Sequence, residues 1–555
     1  MALAQRHTDS LCTLILSCLL LVGVISLVQF SSLSFYVTLD RVVQPTKLDS
    51  GEFLFYSCLL FLMAWFVLCF FTNQPLTNYS PLLGFLTTPI IGVGLALSLT
   101  ATLAGVLGIF RLKDRSEWIF WSLLILSVIE GLALIHWVLI FLGISSPLSG
   151  LALFELDLYY LLSISAPIPI ILLLFGWAPK LLLRYSKDKE GNNTSAQNWT
   201  KWNLALLIFS IALAFFAVYY PMSGGVNPHK LLLGYDFDAY LNSTQPVLNN
   251  PLEAFRAFGG ERPVVFLLIS FVHAVSSLDL YNVLMIMPLI FLPLLVAASG
   301  LMSWEMYQRA DLASWCTFFT AGGVFVVETV YGYFISNIIG LCLIFLSFAL
   351  LFRYLRVGGW ANLGAYLITG LLAYFSHPFS LELYAGGLAA IWFILLLKKG
   401  GSERLLKAIP FFLVTFVVFG FLNWYLNGNH SLLNPYYVLT SSAEVSLSLD
   451  FLRGGYTSNL ILLSLAALGY LIIRYESLSS QYLDVLFALS GAFFLLLDNV
   501  YRFRLFIMLP LGLVAAIGLV EVLGVVKSVK LKYAITSFVL LFFTVYLLRS
   551  MANLI

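Results

Sequence analysis

Residues 202–221 read WNLALLIFSIALAFFAVYYP, a full run of helix-compatible positions without one charge. A helix needs about 20 mostly apolar residues to cross hydrocarbon, because lipid offers no partner to an unpaired backbone group. The run is therefore read as a membrane span. Working outward from it, the same test marks spans near 11–32, 53–72, 83–110, 118–143 and 157–179 on the N-terminal side. On the C-terminal side it marks 281–301, 312–330, 335–353, 359–375, 380–397, 408–426, 457–473, 482–497, 504–525 and 533–549, which makes about 16 in all. Of the 555 residues 61% are hydrophobic and 10% charged, where soluble domains carry roughly a quarter charged. The expected fold class is all-α, a polytopic transmembrane helical bundle surrounded by membrane lipids. A soluble enzyme and a secreted disulfide scaffold are excluded.

The 29 Lys and Arg against 27 Asp and Glu leave a net charge of +2, too little for a polyanion-binding surface, so no nucleic-acid partner is expected. Where the charges lie is more informative, since short cytoplasmic loops collect Lys and Arg. With the N-terminus outside, all but Arg6, Lys230, Arg256, Arg262, Arg453, Arg502, Arg504 and Arg549 fall on the cytoplasmic side. The expectation is a multi-pass protein of the cell membrane with both termini outside. The six cysteines sit inside apolar runs and form no CxxC pair, so they read as small core hydrophobes.

Two hydrophilic stretches divide the chain. Residues 1–180 form an N-terminal five-span module, 181–201 a charged, Asn- and Ser-rich cytoplasmic linker, and 202–555 a second module with an external loop over 222–280. Within that loop, PVVFLLISFVHAV (263–275) is too short to cross and reads as an interfacial or re-entrant helix. In the first module only Glu130 stands out, an ionisable group in mid-span where it is costly and tends to mark a pathway or a paired site.

The strongest chemical signal follows the span at 202–221. Asp236 and Asp238 lie in the external stretch MSGGVNPHKLLLGYDFDAYLNSTQPVLNNPLEAFRAFGGERP. In an extended chain these carboxylates point the same way and can share a divalent cation, Mg or Mn; in a helix they diverge. One can act as general base while its neighbour orients an acceptor or a metal. The alternative is that the pair merely caps a helix starting near Asp238.

GYDFDAYL (234–241), then ERPVVFLLISFVHAVSSLDLYN (261–282), then the span MIMPLIFLPLLVAASGLMSWEM (285–306), resembles the opening of polytopic C-type glycosyltransferases, closest to archaeal and bacterial members. The likeness covers roughly residues 200–530 and rests on order and topology more than on motif specificity. It implies transfer of a sugar from a polyprenyl-phosphate donor to a protein, lipid or glycan acceptor at the external face. By position Asp236 is then the catalytic base and Asp238 the metal or acceptor partner. The chain departs from the family pattern in its five leading spans and in having no sizeable soluble C-terminal domain, which weakens an oligosaccharyltransferase reading.

A donor with its tail in the bilayer also needs cations beside the base at one membrane face. Arg262, Arg502 and Arg504 run against the positive-inside tendency and can grip phosphate bidentately; the alternative is a snorkelling belt with an internal pair to Asp498. Glu328 and His377 end helices at the same face and are candidates for orienting the acceptor or a metal, although a His before Pro378 also reads as local structure. Neither GxGxxG nor GxxxxGK[ST] occurs in a suitable context, so no nucleotide cofactor is expected. Two other classes stay open: a transporter or flippase of a lipid-linked or small polar substrate, and a noncatalytic assembly subunit.

Overall fold

The computed structural model describes residues 115–144, 198–229, 234, 236–260, 262–397, 408, 417, 421, 460–472, 478–496 and 508–552. Among them every regular element is helical. In chain order these are α1 (Arg115–Phe141), α2 (Lys201–Met222), α3 (Phe237–Asn249), α4 (Pro263–Ser276), α5 (Leu280–Tyr307), α6 (Ala310–Ala321), α7 (Val324–Gly332) and α8 (Ile335–Val357). They continue with α9 (Trp360–Tyr374), α10 (Pro378–Leu397), α11 (Leu460–Ile472), α12 (Leu478–Leu496), α13 (Leu511–Val525) and α14 (Val529–Ala552). Two short 3-10 turns, Pro251–Phe255 and Ala257–Gly260, join α3 to α4. The expected spans at 11–32, 53–72, 83–110 and 157–179, and most of 408–426, lie outside the described residues.

Among the described residues four helices, α2, α5, α8 and α14, are long and apolar enough to cross a membrane. Their ends are set by side chains. Thr200 caps α2, its hydroxyl accepting the N–H of Asn203 at 3.2 Å, and Asp279 caps α5 by accepting from the Asn282 N–H at 2.7 Å. Such caps satisfy donors that the first helical turn leaves unpaired. One expected span is not continuous. The run 312–330 is interrupted at Gly322 and Gly323, where the backbone of Gly323 turns extended at ψ 174° and separates α6 from α7.

Contacts divide the chain into two compact units. The first comprises 1–195, 442–472 and 518–545, and the second 196–441, 473–517 and 546–555, so the first boundary falls inside the hydrophilic segment 181–201. In the first unit α1 buries both Glu130 and His136, at 4% and 5% exposure, and the His136 ring lies edge-on to Trp137.

In the second unit α8 is the most enclosed long helix, packed by α5 and α9, while α2 lies against α5 and α6. Helices α5 and α8 run parallel, because Tyr333 just before α8 bonds to Leu284 near the start of α5, and Arg356 at the end of α8 pairs with Glu305 at the end of α5. The opposite direction of α2 follows from Trp199, whose ring meets Trp304 at 5.4 Å. One end of the unit thus gathers the start of α2, the ends of α5 and α8 and the start of α9. The other gathers α3, α4, the end of α7 and the start of α8. Outer positions of α2, Leu204, Ile208, Phe209 and Phe216, remain exposed, the composition of a lipid-facing side.

Candidate functional site

The candidate residues are held where the loop after α2 folds against the junction of α7 and α8. Gly234 makes the first contact with φ +94°, and a Cβ there would stand 2.5 Å from Tyr333 Cβ and 2.6 Å from its amide nitrogen. Only glycine fits both the angle and the space. Tyr333 ends α7 in the left-handed region at φ 52°, unusual for a bulky residue and of a kind that concentrates at functional sites. Its hydroxyl donates to the Leu284 carbonyl at 2.5 Å. Burial holds this phenol well above its ordinary pKa, and the neighbouring Tyr240 adds to the shift.

Asp236 follows at the N-cap position of α3. Its backbone N–H donates to the Gly332 carbonyl at 3.0 Å, and the next residue, Phe237, is fully buried with its ring 4.7 Å from that of Tyr333. The carboxylate is half-buried and makes no capping hydrogen bond to the helix it precedes. Its charge still sits at the positive end of the helix dipole.

Of the two conformations open for the Asp pair, the helical one is found: α3 starts at Phe237, Asp236 itself has helical angles (φ −87°, ψ 0°) and Asp238 is exposed. Their side chains therefore diverge rather than lying side by side. A divalent cation here would draw on Asp236 together with oxygens from beyond Asp238.

One turn past Asp236, Tyr240 forms the centre of a buried chain of hydrogen bonds. Arg262, 7% exposed, donates through Nη1 to the Tyr240 hydroxyl at 2.8 Å, and that hydroxyl donates to Ser336 Oγ at 2.7 Å. Arg262 stands just before Pro263, which opens α4 with its preset φ. The Val264 N–H reaches the Phe375 carbonyl at 3.1 Å, so the start of α4 is tied to the end of α9. Asn337, beside Ser336 on α8, is 4% exposed and its Nδ2 has no hydrogen-bond partner.

His377 is 2% exposed between α9 and α10. Its Nδ1 accepts the Ser380 N–H at 3.2 Å and lies 2.7 Å from Ser380 Oγ. Accepting at Nδ1 places the neutral ring's proton on Nε2. Gly340 of α8 lets this residue approach, since a Cβ on it would lie 2.7 Å from His377 Cβ. His377 thus caps α10, as the local-structure reading had it, and stands one helical turn along α8 from Ser336.

Glu328 lies on α7, one turn before the Gly332 that binds Asp236. Asp236, Glu328, Arg262 and His377 are therefore carried by elements that meet around the start of α8, while Asp238 faces outward. Arg502, Arg504, Arg453 and Asp498 lie outside the described residues. Tyr240, Ser336, Asn337 and Tyr333 escaped sequence reasoning. The one signal was Tyr240, four residues from Asp236 and so on its helix face. Among the described residues no three His, Cys, Asp or Glu side chains come together as a metal cluster. No family model matches the chain, and no curated protein matches it in sequence.

Proposed function

We propose that this chain is an integral-membrane glycosyltransferase that moves a sugar from a polyprenyl-phosphate donor to an acceptor hydroxyl, with Asp236 as base. The observation that supports it most is a half-buried carboxylate at a helix start that does not cap that helix, fixed by Gly332, with an arginine-bound tyrosine one turn further on. Its backbone N–H, bonded to the Gly332 carbonyl, holds it against the end of α7.

In the proposed reaction Asp236 takes the proton of the acceptor hydroxyl as its oxygen attacks the anomeric carbon. The bond from that carbon to the phosphate oxygen breaks, and the polyprenyl phosphate leaves with the electron pair, inverting the configuration. Arg262, Arg502 and Arg504 supply positive charge where the leaving phosphate develops negative charge. A divalent cation bound with Asp236 would add Lewis-acid stabilisation of the same group. Glu328 and His377 orient the acceptor side. In this reading the active site faces the exterior, with both termini outside and the multi-pass chain in the cell membrane, which the basic loops at the opposite end of the helices support.

Asp236→Asn, expressed and folded like wild type, tests this directly. Transfer from a polyprenyl-phosphate sugar should fall by about 100-fold or more, whereas unchanged turnover rejects the assignment. A transporter is the second reading, favoured by the helix broken at Gly322 and Gly323 and by buried Glu130. Gradient-driven uptake into proteoliposomes that is lost in Glu130→Gln would decide for it.

A further inference from the structure

The end of the second unit remote from Asp236 carries an ionic arrangement that helix packing does not exhaust. Glu305, near the end of α5, is 7% exposed. Arg356 binds its Oε2 and also donates to Gln308 Oε1, while Arg353, one turn earlier on α8, approaches Oε1 only to 3.9 Å. That distance is too long for a hydrogen bond, so the one Glu305 carboxylate is approached by two guanidinium groups. Next to it Arg309 binds Asp311 through two hydrogen bonds, at 3.1 and 2.7 Å.

The Arg353 and Arg356 side chains are 55% and 41% exposed. Beyond them the chain turns through Gly358 and Gly359, at φ +83° and +92°, and presents Val357 at 64% and Trp360 at 81% exposure. Trp202, exposed at the start of α2, and the Trp199–Trp304 pair mark the same end of the unit. An indole and a valine left in the open beside two arginines, at the ends of helices of membrane-spanning length, suit the boundary between acyl chains and headgroups. Guanidinium groups in that layer match phosphate oxygens.

We propose that Arg353, Arg356 and Trp360 form a binding site for one anionic phospholipid, a phosphatidylglycerol-type headgroup whose phosphate engages the two arginines while Val357 and Trp360 enter the acyl boundary. Glu305 acts as the positioning residue, holding Arg356 at the edge of the bundle so that both cations face one phosphate. The occupant is a lipid rather than a soluble anion because the apolar contacts lie immediately beside the charges. This site is independent of the glycosyl-transfer reading and lies at the opposite end of α5 and α8 from Asp236.

The full chain in nanodiscs tests it. Thermal unfolding is compared between nanodiscs of phosphatidylcholine and nanodiscs containing phosphatidylglycerol, and native mass spectrometry counts retained phosphatidylglycerol. Wild type should melt several degrees higher with the anionic lipid and keep one bound copy. Arg353→Gln, at a side chain 55% exposed, should lose most of that difference and the retained copy. Arg353→Lys should keep part of both, and Trp360→Ala should weaken retention. Arg256→Gln, an exposed cation elsewhere, should behave as wild type. An equal lipid effect in wild type and Arg353→Gln overturns the proposal. So does millimolar inorganic phosphate reproducing the shift in phosphatidylcholine, which would make the site one for a soluble anion.

Discussion

Asp236 and Tyr240 are successive turns of one helix face: the carbonyl of the first accepts the N–H of the second at 3.1 Å. The acid is tied to α7 through its own N–H, and the tyrosine to α4 and α8 through its hydroxyl. The position of the carboxylate therefore depends on both attachments.

Tyr240→Phe removes the acceptor from a buried guanidinium and the donor from Ser336. Stranding a buried polar group costs about 1–3 kcal/mol, so thermal unfolding should drop by several degrees. Ser336→Ala removes one neutral acceptor and should cost about 1 kcal/mol. If transfer runs through Asp236, its rate should fall more in the Tyr240 variant than in the Ser336 variant, as measured on matched folded protein.

Gly234→Ala places a methyl group inside contact distance of Tyr333 and imposes a left-handed angle on alanine. The expected cost is at least about 2 kcal/mol. Limited proteolysis should show earlier cleavage between α2 and α4 in this variant than in wild type.

Tyr333 gives a pH dependence whose sign is fixed by its raised pKa. The folded state disfavours the phenolate, so the stabilisation is complete below the ordinary value of 10.0 and is lost as pH rises through that value toward the folded one. Tyr333→Phe should begin less stable, having lost its bond to Leu284, yet decline less steeply above pH 10 in thermal melts recorded from pH 7 to 11.

Asp236 and Asp238 should separate sharply. Asp238→Asn changes an exposed carboxylate in the first turn of α3 and should cost a few tenths of a kcal/mol through the helix dipole, with transfer within a few-fold of wild type. Parallel turnover assays on the two single variants measure the contrast.

His377→Ala should behave as loss of a helix cap, about 0.5–2 kcal/mol. A kcat decrease well beyond that of a stability-matched variant would show that His377 also meets substrate.

Long apolar runs made α2, α5 and α8 legible in the sequence, because hydropathy over that length admits one structure in lipid. The interruption of 312–330 was not legible: its Gly pair sits in an apolar stretch where glycine is also compatible with close helix packing, and only the backbone at Gly323 distinguishes the two. For the Asp pair the sequence left two conformations open, and burial of Phe237 against Tyr333 decides between them. Arg262 drew notice in the sequence as one of the few cations away from the basic loops, but its burial depends on Tyr240, a partner 22 residues away in the chain. Tyr333 gave no advance sign, since its left-handed angle arises from the way α7 closes.

Helices α5 and α8 are fastened at two levels, Tyr333 to Leu284 and Arg356 to Glu305. From Leu284 to Glu305 the helix rises about 31 Å at 1.5 Å per residue, close to the roughly 30 Å depth of a bilayer interior. Two rivets that far apart turn the pair into a girder: neither helix can slide or rotate past its mate without breaking a joint at one leaflet.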